Sequence, residues 1–392
     1  MVAETAKQFE ALEAQAARIT GAFTEAGYER VAPSIIQPAD VFLDVVGESL
    51  RARTYVFTDQ EGAELCLRPD LTLPACRIYL ERHADAETPA RLCYNGSAFR
   101  FQPGGGSAAH PREFRQAGLE SFAAADATAA DVEVLLLTLK AIRIAGVNQI
   151  QLRIGDLGLF SALLDKLDMP ERWRARLRHL FWRPEAFRAE MSRLSSAPAA
   201  AIEGLPPELV ATLDPADPVR AEELVTQYLD KQGIDVQGVR TAAEIAENLL
   251  SAVADARSRP LQKKAVDVIE KYLAISGPVG SIPEKITALT QANGIDLSAA
   301  LAVFERRLAL ISVGGFAIEE ADFSAEFGRS FSYYTGFVFE VLSPKLGAKS
   351  PLAGGGRYDG MLKIAGAPKD VPAVGAAIYT ERVLIAVAEG AP

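Results

Sequence analysis

The first third of the chain combines one long amphipathic segment with several short runs of strand-forming residues. Apolar residues recur three and four positions apart over 1–26, which predicts a helix that ends at Gly27. Between 28 and 125, runs of branched and aromatic residues are separated by proline and glycine, which is typical of an antiparallel sheet. Further predicted elements are short helices over 38–46 and 72–82, a longer helix over 129–145 ending at Gly146, and a strand over 149–155.

The middle of the chain has a different pattern. From about 158 to 310, alanine and leucine recur at helical spacing between proline-containing joints, and seven or eight helices fit there. After 310, strand-like runs separated by glycine return, and a final helix is predicted. We therefore expect an α+β fold in which 1–155 and 310–392 form one antiparallel sheet flanked by helices, and 156–309 is a mainly helical insertion. A Rossmann-type domain is not expected, because strands and helices do not alternate regularly.

Composition is that of a water-soluble protein with no nucleic-acid bias. The 392 residues are 49% hydrophobic and 23% charged, with a net charge of −10, which is unfavourable for binding a polyanion. The most basic stretch, 171–178, is predicted to be the solvated face of a helix. Apolar runs are too short to span a bilayer, and the N-terminus does not resemble a signal peptide. We expect a cytoplasmic location.

Cysteine and histidine are few and scattered. The three cysteines contain no CxxC pair, and the three histidines are far apart in the sequence, so neither a disulfide framework nor a metal site is predicted. We interpret all six as structural residues and expect no cofactor. They are Cys66, Cys76, Cys93, His83, His110 and His179.

Charged and aromatic residues concentrate in four segments: 65–77, 94–120, 327–341 and 354–384. Their residue types suit a small zwitterion. Asp70, Gln116 and Glu120 could bind an amino group, and the planar guanidinium of Arg329 suits a carboxylate. Tyr334 and Tyr358 could present both a ring face and a hydroxyl to a flat polar ring. In a strand, positions 116, 118 and 120 share one face. By periodicity alone, the favoured interpretation of these residues is that of solvated polar positions on an exposed sheet face.

These segments together resemble the core of class II aminoacyl-tRNA synthetases, and in particular that of histidyl-tRNA synthetase. Residues 27–42 resemble motif 1, whose proline, here Pro33, lies in the dimer interface of that family. Residues 94–122 resemble motif 2, 328–340 resemble the histidine-specific signature RGLDYYT, and 373–384 resemble motif 3. The resemblance covers roughly 5–155 and 310–392.

The resemblance implies a role for each matching residue. Arg100 and Arg382 match the ATP-binding arginines of motifs 2 and 3, and we interpret them as remnants of a nucleotide site. No catalytic residue is predicted. The positions that match histidine contacts are Asp70, Thr72, Gln116, Glu120, Arg329, Tyr333, Tyr334 and Tyr358.

Several positions depart from the synthetase pattern. Gln102 replaces the glutamate of motif 2, and the loop after it lacks the basic, proline–glutamine segment that covers the nucleotide. Ser332 replaces the aspartate of the histidine signature. The sequence stops ten residues after Arg382, so we expect no anticodon-binding domain.

A synthetase-like chain with these departures resembles the regulatory subunits of ATP phosphoribosyltransferase, which are paralogues of histidyl-tRNA synthetase. Membership implies an allosteric, non-catalytic protein that activates the short-form catalytic subunit in a hetero-oligomer and mediates feedback inhibition by L-histidine. It also implies a homodimer through the motif 1 region, without tRNA or membrane as partner. Two alternatives stay open: a truncated synthetase-like enzyme that activates histidine or ligates an amino acid to another acceptor, and a histidine sensor for an unrelated partner.

Overall fold

The computed structural model describes residues 5–45, 48–196, 207–233, 241–327 and 333–388, without the side chains of 43–49, 207 and 208. The chain falls into two units, one formed by 1–166 with 270–392 and the other by 167–269. The observed helical unit is thus shorter than the expected insertion over 156–309. Helices at both ends of that expected range belong to the unit that contains the large sheet.

Twelve strands occur in the described part of the chain. They are β1 (Glu29–Arg30), β2 (Ile36–Pro38), β3 (Tyr55–Thr58), β4 (Glu64–Leu67), β5 (Ala90–Phe99), β6 (Glu113–Phe122), β7 (Gln151–Asp156), β8 (Ser276–Pro278), β9 (Ala321–Ser324), β10 (Phe337–Leu342), β11 (Ala353–Arg357) and β12 (Ala373–Tyr379). Nine form one sheet in the order β1-β5-β6-β12-β11-β10-β7-β9-β8. All neighbours are antiparallel except β1 with β5 and β7 with β9. Strands from both ends of the chain therefore share one sheet, as predicted.

Helices surround this sheet and form the second unit. They are α1 (Ala6–Glu25), α2 (Ala39–Val45), α3 (Glu48–Arg51), α4 (Thr72–Arg82), α5 (Ala127–Ile144), α6 (Leu157–Lys166), α7 (Glu171–Leu180), α8 (Pro184–Ser195), α9 (Pro207–Thr212), α10 (Pro218–Gln232), α11 (Ala242–Ala256), α12 (Lys263–Leu273), α13 (Ile282–Asn293), α14 (Ser298–Val313), α15 (Met361–Ile364) and α16 (Thr380–Ala388). None of these is long and apolar enough to span a membrane.

Local sequence explains the bounds of the two long helices that pack on the sheet. The Thr5 hydroxyl accepts a hydrogen bond from the backbone of Gln8, and the Gln8 side chain accepts one from Thr5, so a capping box begins α1. The Asp126 carboxylate accepts from the backbone of Ala129 and caps α5. Both predicted end points are glycines in left-handed conformation. Helix α5 then contacts β12, α1 and α14, which closes one side of the sheet.

The second unit is stabilised by a small apolar core and by one buried carboxylate. The Asp255 carboxylate accepts hydrogen bonds from Arg172 at 2.7 Å and from Arg176 and Arg193 at 2.8 Å. Two arginines of the 171–178 stretch therefore bind this carboxylate, so the prediction of a simple solvated face is wrong for them. The apolar core consists of Leu213, Ala221, Val225, Ala246, Leu250 and Val253.

A separate three-stranded sheet, in the order β2-β4-β3, carries an apolar surface near Pro33. Ile36, Tyr55 and Leu67 lie side by side in its register, and Phe57 and Leu65 form the next row of the same face. Ile36 is 52% exposed and Phe57 is 38% exposed. The outer face of an antiparallel sheet is normally polar where it meets water, so this apolar face is suited to contact with another protein surface.

Candidate functional site

A cleft in the large sheet brings together most of the residues that were predicted to contact histidine. Six of the eight residues that were predicted to contact the histidine ligand line the cleft: Asp70, Thr72, Gln116, Tyr333, Tyr334 and Tyr358. Glu120 lies directly beneath the lining, and Arg329 lies outside the described residues.

Asp70 provides the negative charge of the cleft. It follows β4 and precedes α4, and it is only 5% exposed. Its Oδ1 atom has no hydrogen-bond partner within the described ranges of the chain. Burial raises the pKa of the Asp70 carboxyl, while Arg100 and the backbone amides at the start of α4 act in the opposite direction. Burial of an oxygen without a hydrogen-bond partner is energetically unfavourable. A cationic ligand that binds Asp70 Oδ1 would therefore be stabilised.

Gln116 and Thr72 add neutral polar groups beside this carboxylate. The Gln116 Oε1 atom accepts a hydrogen bond from the backbone N–H of Leu71 at 3.2 Å. This contact assigns the amide oxygen, so the other atom of the amide is a nitrogen donor on a residue that lines the cleft. The Thr72 hydroxyl lies 3.5 Å from the Tyr94 hydroxyl. The cleft therefore offers donors as well as acceptors around Asp70.

Glu120 acts on the cleft through two tyrosines. Its side chain is fully buried, and Tyr94 donates a hydrogen bond to Oε1 at 2.7 Å while Tyr358 donates to Oε2. Burial raises the pKa of Glu120 to about 7, and the hydrogen bonds from Tyr358 and Tyr94 oppose that rise. A Cβ atom on Gly118 would lie 2.5 Å from the Tyr94 ring, so glycine is needed there for Tyr94 to reach Glu120.

Three tyrosines form what we call the aromatic wall: Tyr333, Tyr334 and Tyr358. The ring centroids of Tyr333 and Tyr334 are 4.8 Å apart, and the Tyr358 ring meets Tyr333 edge-on at 6.0 Å. These rings are 9%, 7% and 1% exposed, respectively. A flat polar ring placed against this wall would meet ring faces and hydroxyl groups together.

The two arginines predicted to be remnants of a nucleotide site lie in different surroundings. Arg100 lines the cleft, donates to the Pro69 carbonyl at 2.8 Å and lies over the Phe114 ring at 5.0 Å. Arg382 is not part of the lining; its guanidinium lies 4.0 Å above the ring of Tyr379. The structure therefore brings only the first of the two into the cleft.

Arg382 donates to atoms of its own chain. It donates to the carbonyls of Ala109 at 2.9 Å and Pro351 at 2.8 Å. Its third contact is with His110 Nδ1, at 3.1 Å. Because arginine can only donate, this nitrogen must accept, which leaves the ring proton on Nε2, 3.0 Å from the Ser350 hydroxyl. Burial lowers the pKa of His110, and neighbouring Arg382 lowers it further. His110 is thus a neutral residue that connects the segment between β5 and β6 to Arg382.

Other contributors to the cleft were not predicted. Tyr379, which lines the cleft, and Tyr94, which donates to Glu120 beneath it, were not singled out from the sequence. Tyr94 is opposite Gly118 in the pairing of β5 with β6, a register that connects two separate strand signals. A tyrosine and a glycine facing each other beside a buried glutamate form the signal that could have indicated this contact.

Comparison with known proteins places the chain in a family. A profile of the histidyl-tRNA synthetase family matches residues 4–231 and 242–383. A Chelativorans protein is 34% identical over 369 residues, which are 94% of this chain and 96% of that protein. A Mesorhizobium japonicum protein is 33% identical over 379 residues, or 96% and 98% of the two chains. Both are named ATP phosphoribosyltransferase regulatory subunit. The chain belongs to the family of ATP phosphoribosyltransferase regulatory subunits.

Solved structures of relatives confirm the fold class of this regulatory-subunit family member. A Bacillus halodurans protein, described as an ATP phosphoribosyltransferase regulatory subunit/histidyl-tRNA synthetase, aligns with a TM-score of 0.67 at 22% identity. The alignment covers 99% of this chain and 81% of that one. The histidyl-tRNA synthetase of Nostoc sp. aligns with a TM-score of 0.59 at 15% identity, over 97% and 72% of the two chains. The core is therefore of the class II synthetase type.

The raised pKa of Glu120 makes stability depend on pH. Its folded-state pKa, about 7, lies above the usual value for glutamate, so the folded state holds the proton more tightly than the unfolded state does. The resulting stabilisation is complete below about pH 4.5 and is lost as pH rises through about 7. Glu120→Gln should remove this dependence.

We expect the free energy of unfolding of the wild type, relative to Glu120→Gln, to increase by about 2–3 kcal/mol between pH 8 and pH 5. Urea unfolding at the two pH values measures the difference. Glu64→Gln, at an exposed position of β4, is the control and should track the wild type. Equal pH dependence in both variants would mean that the Glu120 carboxyl does not titrate in this range.

Proposed function

We propose that this chain is the non-catalytic regulatory subunit of ATP phosphoribosyltransferase, the enzyme of the first step of histidine biosynthesis. In this proposal it activates the short catalytic subunit and mediates feedback inhibition by L-histidine. The observation that supports this function is the convergence, in one cleft, of an aromatic wall and a buried carboxylate whose Oδ1 atom has no hydrogen-bond partner among the described residues. The names of the curated relatives point to the same role.

The chemistry of the cleft suits histidine at two of its three polar ends. The ammonium group would compensate the Asp70 carboxylate, where low exposure strengthens an ionic contact. The imidazole would lie against the aromatic wall, where the Tyr358 hydroxyl is oriented by Glu120. Arg329, the predicted partner of the ligand carboxylate, lies outside the described residues and its role stays a prediction.

An enzymatic function is the second candidate, because Arg100 is retained at the lining of the cleft. A synthetase-like enzyme would bind ATP there and activate histidine. Two observations disfavour it. Gln102, which stands at the motif 2 glutamate position, accepts a hydrogen bond from Arg53 at 2.6 Å instead of presenting a charge. Arg382 is bound by carbonyls of its own chain.

Regulation by histidine requires a difference in affinity between two states of the complex. A ligand shifts an equilibrium only as far as it binds one state more tightly, which is typically about 1–3 kcal/mol of coupling between two sites. Binding to this subunit would therefore inhibit the catalytic subunit if histidine favours the less active arrangement. No chemistry by this chain is needed for that effect.

The first prediction under this proposal concerns ligand binding. Asp70→Asn removes the charge that would compensate the ammonium group, so the affinity for L-histidine should fall about 10- to 100-fold. Isothermal titration calorimetry measures the change, with the exposed Asp322→Asn as the matched control. The wild type should show no histidine-dependent ATP–pyrophosphate exchange. Exchange at a synthetase-like rate would support the enzymatic alternative instead.

The second prediction concerns the complex. Addition of this chain to its cognate short-form ATP phosphoribosyltransferase should raise the steady-state rate, and histidine should lower it again. Arg382→Ala should leave most of the activation intact, because activation depends on contact between proteins and not on ATP bound to this chain. If the rate is unchanged by the regulatory chain when both proteins are folded, the proposed function is wrong.

A homodimer through the motif 1 region is also proposed, supported by the apolar face of the β2-β4-β3 sheet. Phe57→Glu would bury an unpaired charge in that interface and should convert a dimer into a monomer at micromolar concentration. Sedimentation velocity measures the change. Val219→Glu, at a position that is 69% exposed on α10, is the control and should stay dimeric. A wild-type monomer would contradict this proposal.

A further inference from the structure

A buried ionic network adjoins the aromatic wall, and its residues are not among those that line the cleft. Arg357, at the end of β11, donates to Asp131 of α5 at 2.6 Å, to Asp359 at 2.8 Å and to the Ala127 carbonyl at 2.7 Å. The opposite oxygen of Asp131 lies 3.0 Å from the guanidinium of Arg307, on α14. One carboxylate thus joins two arginines from different elements.

Arg307 is firmly held in this network. It donates to Asp156, at the end of β7, at 2.6 Å, and its guanidinium lies 4.9 Å from the centre of the Phe337 ring. The side chains of Arg307, Asp131 and Asp156 are 5%, 1% and 6% exposed. The positions of ion-pair partners at such low exposure are tightly constrained, because a displaced partner leaves an uncompensated charge that water does not reach.

The same network fixes the two chain segments that supply the aromatic wall. The Arg357 carbonyl accepts from the backbone N–H of Thr335 at 2.8 Å, and the Thr335 hydroxyl accepts from the backbone of Asp359 at 3.1 Å. Thr335 directly follows Tyr333 and Tyr334, whereas Arg357 and Asp359 flank Tyr358. The position of Arg357 therefore sets the spacing between both halves of the wall.

We propose that Arg307 is a positioning residue for histidine recognition, acting through Asp131 and Arg357 on the aromatic wall. This inference rests on the proposed function, since it assumes that histidine binds in the cleft. Arg307 is not among the residues that line the cleft, so it acts on the ligand only through this network. It follows that a change in the position of α14 alters affinity for histidine, and that histidine favours one position of α14.

The neighbouring residue provides a matched control. Arg306 is on the same helix and also binds an aspartate of the α5 region, Asp126, at 2.5 Å. That pair is exposed, with side chains 51% and 46% accessible, and it does not contact Arg357. Lysine keeps the charge at either position, which limits the risk of unfolding. At position 307, however, lysine cannot reach both Asp131 and Asp156 as the arginine fork does.

Arg307→Lys should weaken histidine binding about 5- to 30-fold by calorimetry, whereas Arg306→Lys should change it less than about 2-fold. Thermal unfolding by circular dichroism verifies that each variant is folded. Equal affinities of the two folded variants would overturn the inference. If the wild type itself does not bind histidine, the proposed function fails first, so the two failures are distinguishable.

A double-mutant cycle separates positioning from general destabilisation. Tyr358→Phe removes the hydroxyl that Glu120 orients, so displacement of the ring should matter less in that background. Arg307→Lys should then weaken binding by less than about 2-fold further, a clear departure from additivity. Additive losses in the cycle would show that Arg307 does not act through Tyr358, which would contradict the inference.

Discussion

The hydrogen bonds from Tyr94 and Tyr358 to the buried Glu120 carboxylate determine the architecture of the cleft. Glu120 is on β6, Tyr94 is on the neighbouring β5, and Tyr358 follows β11, so one carboxylate joins side chains from both β-rich ends of the chain. A carboxyl group without water requires such donors, because its desolvation is otherwise uncompensated. The order β5-β6-β12-β11 in the sheet is what brings the three groups together.

The residues that match amino-acid contacts and those that match nucleotide contacts differ in how their polar groups are satisfied. Where histidine is proposed to bind, Asp70 is buried with an oxygen that has no partner in the described residues. Outside the lining of the cleft, Arg382 is bound by the Ala109 and Pro351 carbonyls and by His110. A ligand gains more where it completes an unsatisfied group than where it must displace existing contacts. This contrast favours amino-acid binding over nucleotide binding.

The sequence was sufficient to predict local structure and six of the residues that line the cleft, but not the contacts between them. The alternation along 113–122 correctly put Gln116 and Glu120 on one strand face, since strand periodicity is a local property. The contact of Glu120 with Tyr94 depends on which strands become neighbours and in what register, and no local pattern determines this. The contacts of Arg382 could not be predicted from local sequence either, because its partners are residues about 30 and 270 positions away.

The ionic network on Arg357 explains how a cleft of this kind can respond to events outside it. A wall held by apolar packing alone could relax around a displaced helix, because dispersion contacts are weak individually and have little directionality. Arg307 and Arg357 instead share Asp131 at 3.0 and 2.6 Å, distances over which a small shift forfeits a charged hydrogen bond. In the proposed coupling, which is reciprocal, a cleft whose affinity depends on the position of α14 would also bias that position once histidine is bound.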